Sequence, residues 1–239
     1  MALPIFYKKP VILNSQLHAD LRLRARNDYQ FATGSNSVAL TTVEFAKACR
    51  EYPIVFVQEA EVVTPVAVLG LKNTQNLFLD GKGQWKADYI PAYVRRYPFI
   101  LARQGEAADY TVCIDEAYSG FNRDSGERLF RDNGEQSDYL KNVLKLVQEY
   151  QAFSQRTSDF TRRLMDWELL QSLQANVEMH RGDKMSLTGF MVVDQKKLKT
   201  LAAEKLATLM QHDELGLIYY HLLSLNNFGR LVDRLAVAA

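Results

Sequence analysis

The chain has 239 residues, 47% of them apolar and 24% charged, which excludes a disordered chain and suits one large domain, or two subdomains, with a core of ordinary size. With 29 basic and 28 acidic residues the formal net charge is +1, so there is no overall field to hold a nucleic-acid backbone, and nucleic-acid binding is not expected. Two cysteines, Cys49 and Cys113, are too few for a disulfide scaffold; both read as small apolar residues, and a single bridge between them stays open.

Met1 to Pro10 contains no basic segment leading into an apolar run of signal-peptide length. No run approaches the roughly 18 apolar residues that a bilayer span requires, so no transmembrane segment is expected and the cytoplasm is the default compartment. Residues 1–36 read as extended segments and turns. Thr41 or Thr42 is placed to cap a helix through Phe45, Ala46 and Ala48, with Glu44 in its first turn, and Pro53 should end it. Strands follow at Ile54–Val57, Val66–Leu69 and Asn76–Leu79, the last closed by the turn Asp80-Gly81-Lys82-Gly83. Glu51–Phe56 and Arg96–Leu101 share one pattern, a charged residue, Tyr, Pro and three apolar residues. Each reads as a helix end feeding a buried strand, a hint of a pseudo-repeat. Tyr110–Ile114 is a further strand, and residues 119–136, rich in Gly, Asn, Asp and Ser, read as a loop or boundary.

All six prolines precede Phe99, and the proline-free remainder is free to be helical. Leu140, Val143, Leu144, Val147 and Tyr150 form one helical face. Phe160, Leu164, Trp167, Leu170, Leu173 and Val177 suggest a second helix capped by Thr157 or Ser158. Arg181-Gly182-Asp183 reads as a turn and Leu187–Val193 as a lone strand. Asp194 is placed to cap a helix carrying Leu198, Leu201, Leu206 and Leu209, and a last helix from Glu214 carries Ile218, Leu222, Leu225 and Leu231. The expected class is α+β: a mixed, mostly β N-terminal half with a sheet, and a helical half with one extra strand, sharing one core. Residues 1–239 read as a single domain, divisible if at all into a β-rich 1–130 and a helical 137–239.

Motifs for chemistry are sparse. There is no phosphate loop of either standard kind, no Cys-x-x-Cys, no pair of histidines four apart and no G-x-S-x-G, so neither a metal nor a cofactor is expected. Asp115-Glu116 closes a strand and could do acid–base work or simply face water. His221 lies beside Ile218, Leu222 and Leu225, where a core histidine with satisfied hydrogen bonds is the plainer reading. His212-Asp213-Glu214 could bind an ion, but it sits where two helices meet, and solvation is the plainer reading. The densest group is Trp85, Tyr89, Tyr93 and Tyr97 at spacing four, with Arg95 and Arg96 beside them. Arginine offers bidentate bonds and tyrosine a face with a hydroxyl, a combination suited to a carboxylate, a phosphate or a peptide. The alternative is that the rings pack a sheet–helix junction while the arginines cap carbonyls.

These segments resemble the SapC family. The matching pieces are Arg50–Phe56, Leu69-Gly70-Leu71, Gln75–Phe78, Gly83-Gln84-Trp85, Tyr89–Phe99, Gly126–Phe130 and Leu187–Phe190, in order along most of the chain. The run Pro91-Ala92-Tyr93-Val94-Arg95-Arg96-Tyr97-Pro98-Phe99 is the most specific. The resemblance implies a bacterial protein tied to surface-layer and peptide-transport systems, with relatives that accompany outer-membrane receptor and flavin-dependent halogenase genes. It carries no catalytic residue onto this chain, and the permease label sometimes attached to the family does not suit a chain without a membrane span.

The reading that follows is a non-catalytic accessory protein, binding a peptide, protein or small ligand through Trp85, Tyr89, Tyr93, Arg95, Arg96 and Tyr97. The alternative is an enzyme modifying a peptide or carbohydrate in a pathway with a halogenase, through Asp115, Glu116 or His221. A third is a homo-oligomer joined by its C-terminal helices.

Overall fold

β-Branched and aromatic residues crowd the first half, and there the chain pairs into antiparallel sheets. The computed structural model describes residues 3–25, 28–103, 110–178 and 184–238. Strands β1 (Pro10–Ile12) and β2 (Arg22–Leu23) come first, then a 3-10 turn at Gln30–Ala32, strand β3 (Ser37–Ala39) and a second 3-10 turn at Thr42–Glu44 that runs into helix α1 (Phe45–Ala48). Strands β4 (Ile54–Glu59) and β5 (Val62–Val68) form a hairpin in register from Ile54 opposite Ala67 to Glu59 opposite Val62. A one-turn helix α2 (Ala92–Arg95) leads into β6 (Phe99–Arg103), followed by β7 (Tyr110–Asp115), β8 (Phe121–Asn122) and β9 (Glu127–Arg128). The second half holds helix α3 (Asp138–Asp166), the hairpin β10 (Leu170–Glu178) and β11 (Lys184–Val193), and helices α4 (Gln195–Lys199), α5 (Ala203–Gln211), α6 (Glu214–Ser224) and α7 (Asn227–Ala238). The class is α+β, with sheets mostly from the first half and helices mostly from the second.

Among the described residues the strands form three sheets, in the orders β1-β7-β6, β10-β11-β4-β5-β3 and β8-β2-β9. Both Tyr-Pro motifs do sit between a short helix and a strand, α1 before β4 and α2 before β6, but β6 is buried only at Phe99 among its described side chains and the two strands belong to different sheets. The Tyr97–Pro98 peptide is cis. The strand expected at Asn76–Leu79 is reduced to one bridge between Leu79 and Trp85. Side chains explain this. Asn76 Oδ1 accepts from the Phe78 N–H, and Asp80 Oδ1 accepts from the N–H groups of Lys82 and Gln84. These local bonds compete with a ladder.

The largest departure lies after residue 150. One helix, α3, replaces the two expected and runs through Thr157 and Ser158. Thr157 does not cap: its hydroxyl donates to the Phe153 carbonyl at 2.7 Å and accepts from the Thr42 N–H at 2.9 Å, tying the middle of α3 to the turn before α1. The Ser137 hydroxyl caps α3 instead, accepting from Leu140 N. The helix ends at Asp166, and Glu168 turns the chain with φ 52°. Leu170, Leu173 and Val177, spaced as on a helix, then lie in β10, where a register shift between Leu173 and Ala175 accommodates their irregular spacing. The lone strand expected at Leu187–Val193 is thus one arm of a hairpin, and the second half contributes two strands. The turn expected at Arg181-Gly182-Asp183, and His180, lie outside the described residues.

Asp194 caps α4 as its position implies, accepting from Lys196 N and Lys197 N. Two apolar clusters make the core. One gathers β4, β5, the C-terminal part of α3 and the last helices around Tyr52, Phe56 and Phe160. The other surrounds Phe99, Ile114, Leu129 and Leu140. Each draws on both halves, and α3 spans them, placing Val147 in one and Phe160 in the other. Close approach matters at Gly126, which has φ 100° and where a Cβ would lie 2.3 Å from the Leu23 carbonyl oxygen. This is where β9 meets β2 beside Arg24.

Candidate functional site

α2 has Pro91 at its N-cap, with no side chain able to accept from the first turn. A carboxylate from far along the chain does so instead. Glu44 is only 3% exposed, and its Oε1 accepts from the Ala92 N–H at 2.7 Å and the Tyr89 hydroxyl at 2.8 Å. Its Oε2 accepts from the Thr41 N–H at 2.8 Å and the Thr41 hydroxyl at 2.9 Å. One buried charge with four donors joins the turn before α1 to the start of α2. Burial, reinforced by Glu44's charge, pushes the Tyr89 phenol well above its ordinary value. Beside it, the Trp85 indole N–H donates to the Tyr52 hydroxyl at 2.8 Å, and that hydroxyl donates to the Tyr89 carbonyl. Trp85 and Tyr89 are therefore braces for α2.

The two arginines of the segment part ways. Arg95 is exposed; its Nε donates to the Ile90 carbonyl at 3.0 Å, and its guanidinium lies 5.9 Å from the centre of the Tyr89 ring. Arg96 turns inward and is 9% exposed. Its guanidinium sits in the corner between the Tyr93 and Tyr150 rings, 4.3 Å from each centroid, the rings being 6.3 Å apart at 66°. Such contacts favour a cation, but a ring face is no acceptor for the Nε N–H. Arg96 Nε is buried without a hydrogen-bond partner, and among the described residues no carboxylate forms an ion pair with this side chain.

A cavity of about 220 Å³ opens beside Arg96. Arg24 from the end of β2 and Arg95 and Arg96 from α2 supply its positive charge. Tyr97, Tyr29, Tyr118 and Tyr139 supply rings, and Phe99, Val143 and Leu146 an apolar floor. Among the described residues no acidic side chain lines it. Of the six residues singled out in the sequence, the structure places Arg95, Arg96 and Tyr97 on this wall, while Tyr93 stands behind Arg96, and Trp85 and Tyr89 are not on it. Arg24, Tyr29, Tyr118 and Tyr139 carry no local pattern that links them to α2; Tyr150, already on a predicted helical face, reaches it only through the path of α3.

The acid–base candidates lie elsewhere. Asp115 is 0% exposed and accepts from the N–H groups of Lys9 at 2.7 Å and Lys8 at 3.1 Å and from the Tyr97 hydroxyl at 2.8 Å. It fastens the N-terminal segment to β7, and the bond raises the Tyr97 phenol already raised by burial. Glu116 is exposed and pairs with Lys9 at 2.6 Å, whose hydrogen bond lowers its pKa. His221 is 0% exposed. β11 meets β4 with Met191 opposite Phe56, so Val193 faces Ile54 further along the same register. There the imidazole is spliced between the strands. Nε2 must accept from the Val193 N–H at 3.1 Å, so Nδ1 carries the proton and donates to the Ile54 carbonyl at 2.7 Å. Burial pushes its pKa down from 6.5 to about 4. The two cysteines are free, not bridged, and among the described residues no cluster could hold a metal ion.

A model of the SapC family matches residues 13–231. No curated protein and no solved structure matches the chain.

Two outcomes are expected. Glu44→Ala strands four buried donors and should cost about 4 kcal/mol, lowering Tm by on the order of 10 °C for a chain of this size, whereas Glu44→Gln, which keeps part of the set, loses less; thermal denaturation decides. His221, with its folded pKa depressed, contributes stability that is complete above pH 6.5 and lost as pH falls toward 4. The loss is about 3 kcal/mol. Urea denaturation at pH 7 and pH 4 should show a smaller acid loss in His221→Gln than in the wild type.

Proposed function

We propose that this chain, which belongs to the SapC family, is a bacterial, cytoplasmic accessory protein that performs no chemistry of its own and holds a peptide, protein or small ligand against α2. The observation that carries this reading is the cationic, ring-lined cavity beside Arg95, Arg96 and Tyr97. Concave sites with apolar walls and a few convergent charges are the usual form of ligand sites. The state of the other candidates supports the same reading. Asp115 and His221 are sealed from solvent with their polar atoms engaged in holding strands and termini. Glu116 faces water in an ion pair. Family resemblance ties the role to surface-layer, peptide-transport or outer-membrane-receptor systems, and the permease label sits poorly with a chain in which no described helix is long and apolar enough to cross a membrane.

Arg24 and Arg95 are exposed on the rim, so Arg24→Glu and Arg95→Glu should leave folding intact. Partners and small molecules co-purifying with the tagged wild type, measured by native mass spectrometry, should fall at least tenfold in the double variant while Tm stays unchanged. Equal recovery from both proteins would remove this face from the account.

A further inference from the structure

Resting on the binding reading above, we infer that the cavity beside Arg96 takes a carboxylate carried on a compact apolar or aromatic body, whether a free organic acid or the C-terminal residue of a peptide. A guanidinium keeps its proton at any ordinary pH, and burying it without an anion or a full set of acceptors is unfavourable. Arg96 is nine-tenths buried with its Nε unpartnered, yet Glu44 and Asp115, the buried carboxylates nearest in the fold's wiring, are saturated by other donors. Among the described residues no acceptor is left for Arg96 Nε, so we place the partner outside the chain, with the cavity as the route. Arg24 and Arg95 at its mouth add positive potential that concentrates anions there. The larger grooves along α3, about 740 and 560 Å³, have no buried charged side chain on their walls.

The walls choose among anions. Apart from the three arginines, the nine remaining lining residues are aromatic or aliphatic. A phosphate carries acceptor oxygens on every side and needs a donor for each, whereas the donors here, three guanidiniums and the tyrosine hydroxyls, are set among largely apolar walls. A carboxylate needs donors at one end only, and its body can lie on Tyr97, Tyr118, Tyr139 and Phe99. The volume, about 220 Å³, is below the roughly 300–1,000 Å³ of drug-sized sites and suits a single residue-sized group.

Calorimetric titration of the full chain tests this with four probes: N-acetyl-phenylalanine, N-acetyl-phenylalaninamide, a tripeptide ending in phenylalanine with a free carboxylate, and inorganic phosphate. At least one acid should bind, with the amide and phosphate at least tenfold weaker; which acid binds separates a free acid from a peptide terminus. Arg96→Met should weaken the acid at least tenfold, and Leu146→Trp, which fills the cavity and keeps the charge, should independently do the same. Amide binding equal to acid binding, stronger phosphate binding, or no acid binding overturns it. Partner capture that still depends on Arg24 and Arg95, with no acid bound, overturns this inference alone and leaves the binding reading standing.

Discussion

The carboxylate of Glu44 is the constraint on which the rest depends. A one-turn helix has little stability of its own, because nucleation fixes several residues for one hydrogen bond. α2 exists because a buried charge reaches across from the turn before α1 and accepts from its first N–H and from Tyr89. Those bonds fix the rotation of α2, and that rotation sends Arg95 outward and Arg96 into the corner of Tyr93 and Tyr150. The charge is tolerable in the interior only because every donor is in place.

Glu44, Asp115 and Arg96 all sit deep in this half of the molecule, and the two carboxylates are fully hydrogen-bonded. Glu44 receives four donors; Asp115 receives three, two from the N-terminal backbone and one from Tyr97. Arg96 has rings around it and a buried Nε without a partner. A buried donor left over is costly, and the other atoms in that state, Arg128 Nε and Glu214 Oε2, belong to side chains that have ion pairs, so the contrast singles out Arg96. His221 shows the opposite case: a residue with catalytic chemistry used as a splice between β4 and β11, neutral and saturated.

Local signals carried much of this. The β-branched runs at Ile54–Val57 and Val66–Leu69, the cap at Asp194 and the short helices before Pro53 and Pro98 all follow from residue type and spacing, and the Trp85–Tyr97 cluster drew attention by density alone. What spacing could not supply was partnership. Leu170, Leu173 and Val177 satisfy a helical period, and only pairing with β11 and a register shift make them a strand. Glu44 read as a first-turn acid; that it also caps α2 depends on a contact 48 residues away. Arg24 and Tyr139 reach the cavity from β2 and α3, and no pattern within either segment points there.

The central claim is that the charge at position 96 is held for a ligand rather than for the fold. The free energy of unfolding of the ligand-free Arg96→Met variant, compared with the wild type by urea denaturation, tests it most directly. Methionine keeps much of the side chain's bulk and removes the unpaired charge, so the account predicts stability within about 1 kcal/mol of the wild type, or higher, since relief from burial offsets the lost cation–ring contacts. A loss of about 3 kcal/mol or more, the size seen when a satisfied buried charge is broken, would mean that Arg96 serves the fold and would contradict the claim.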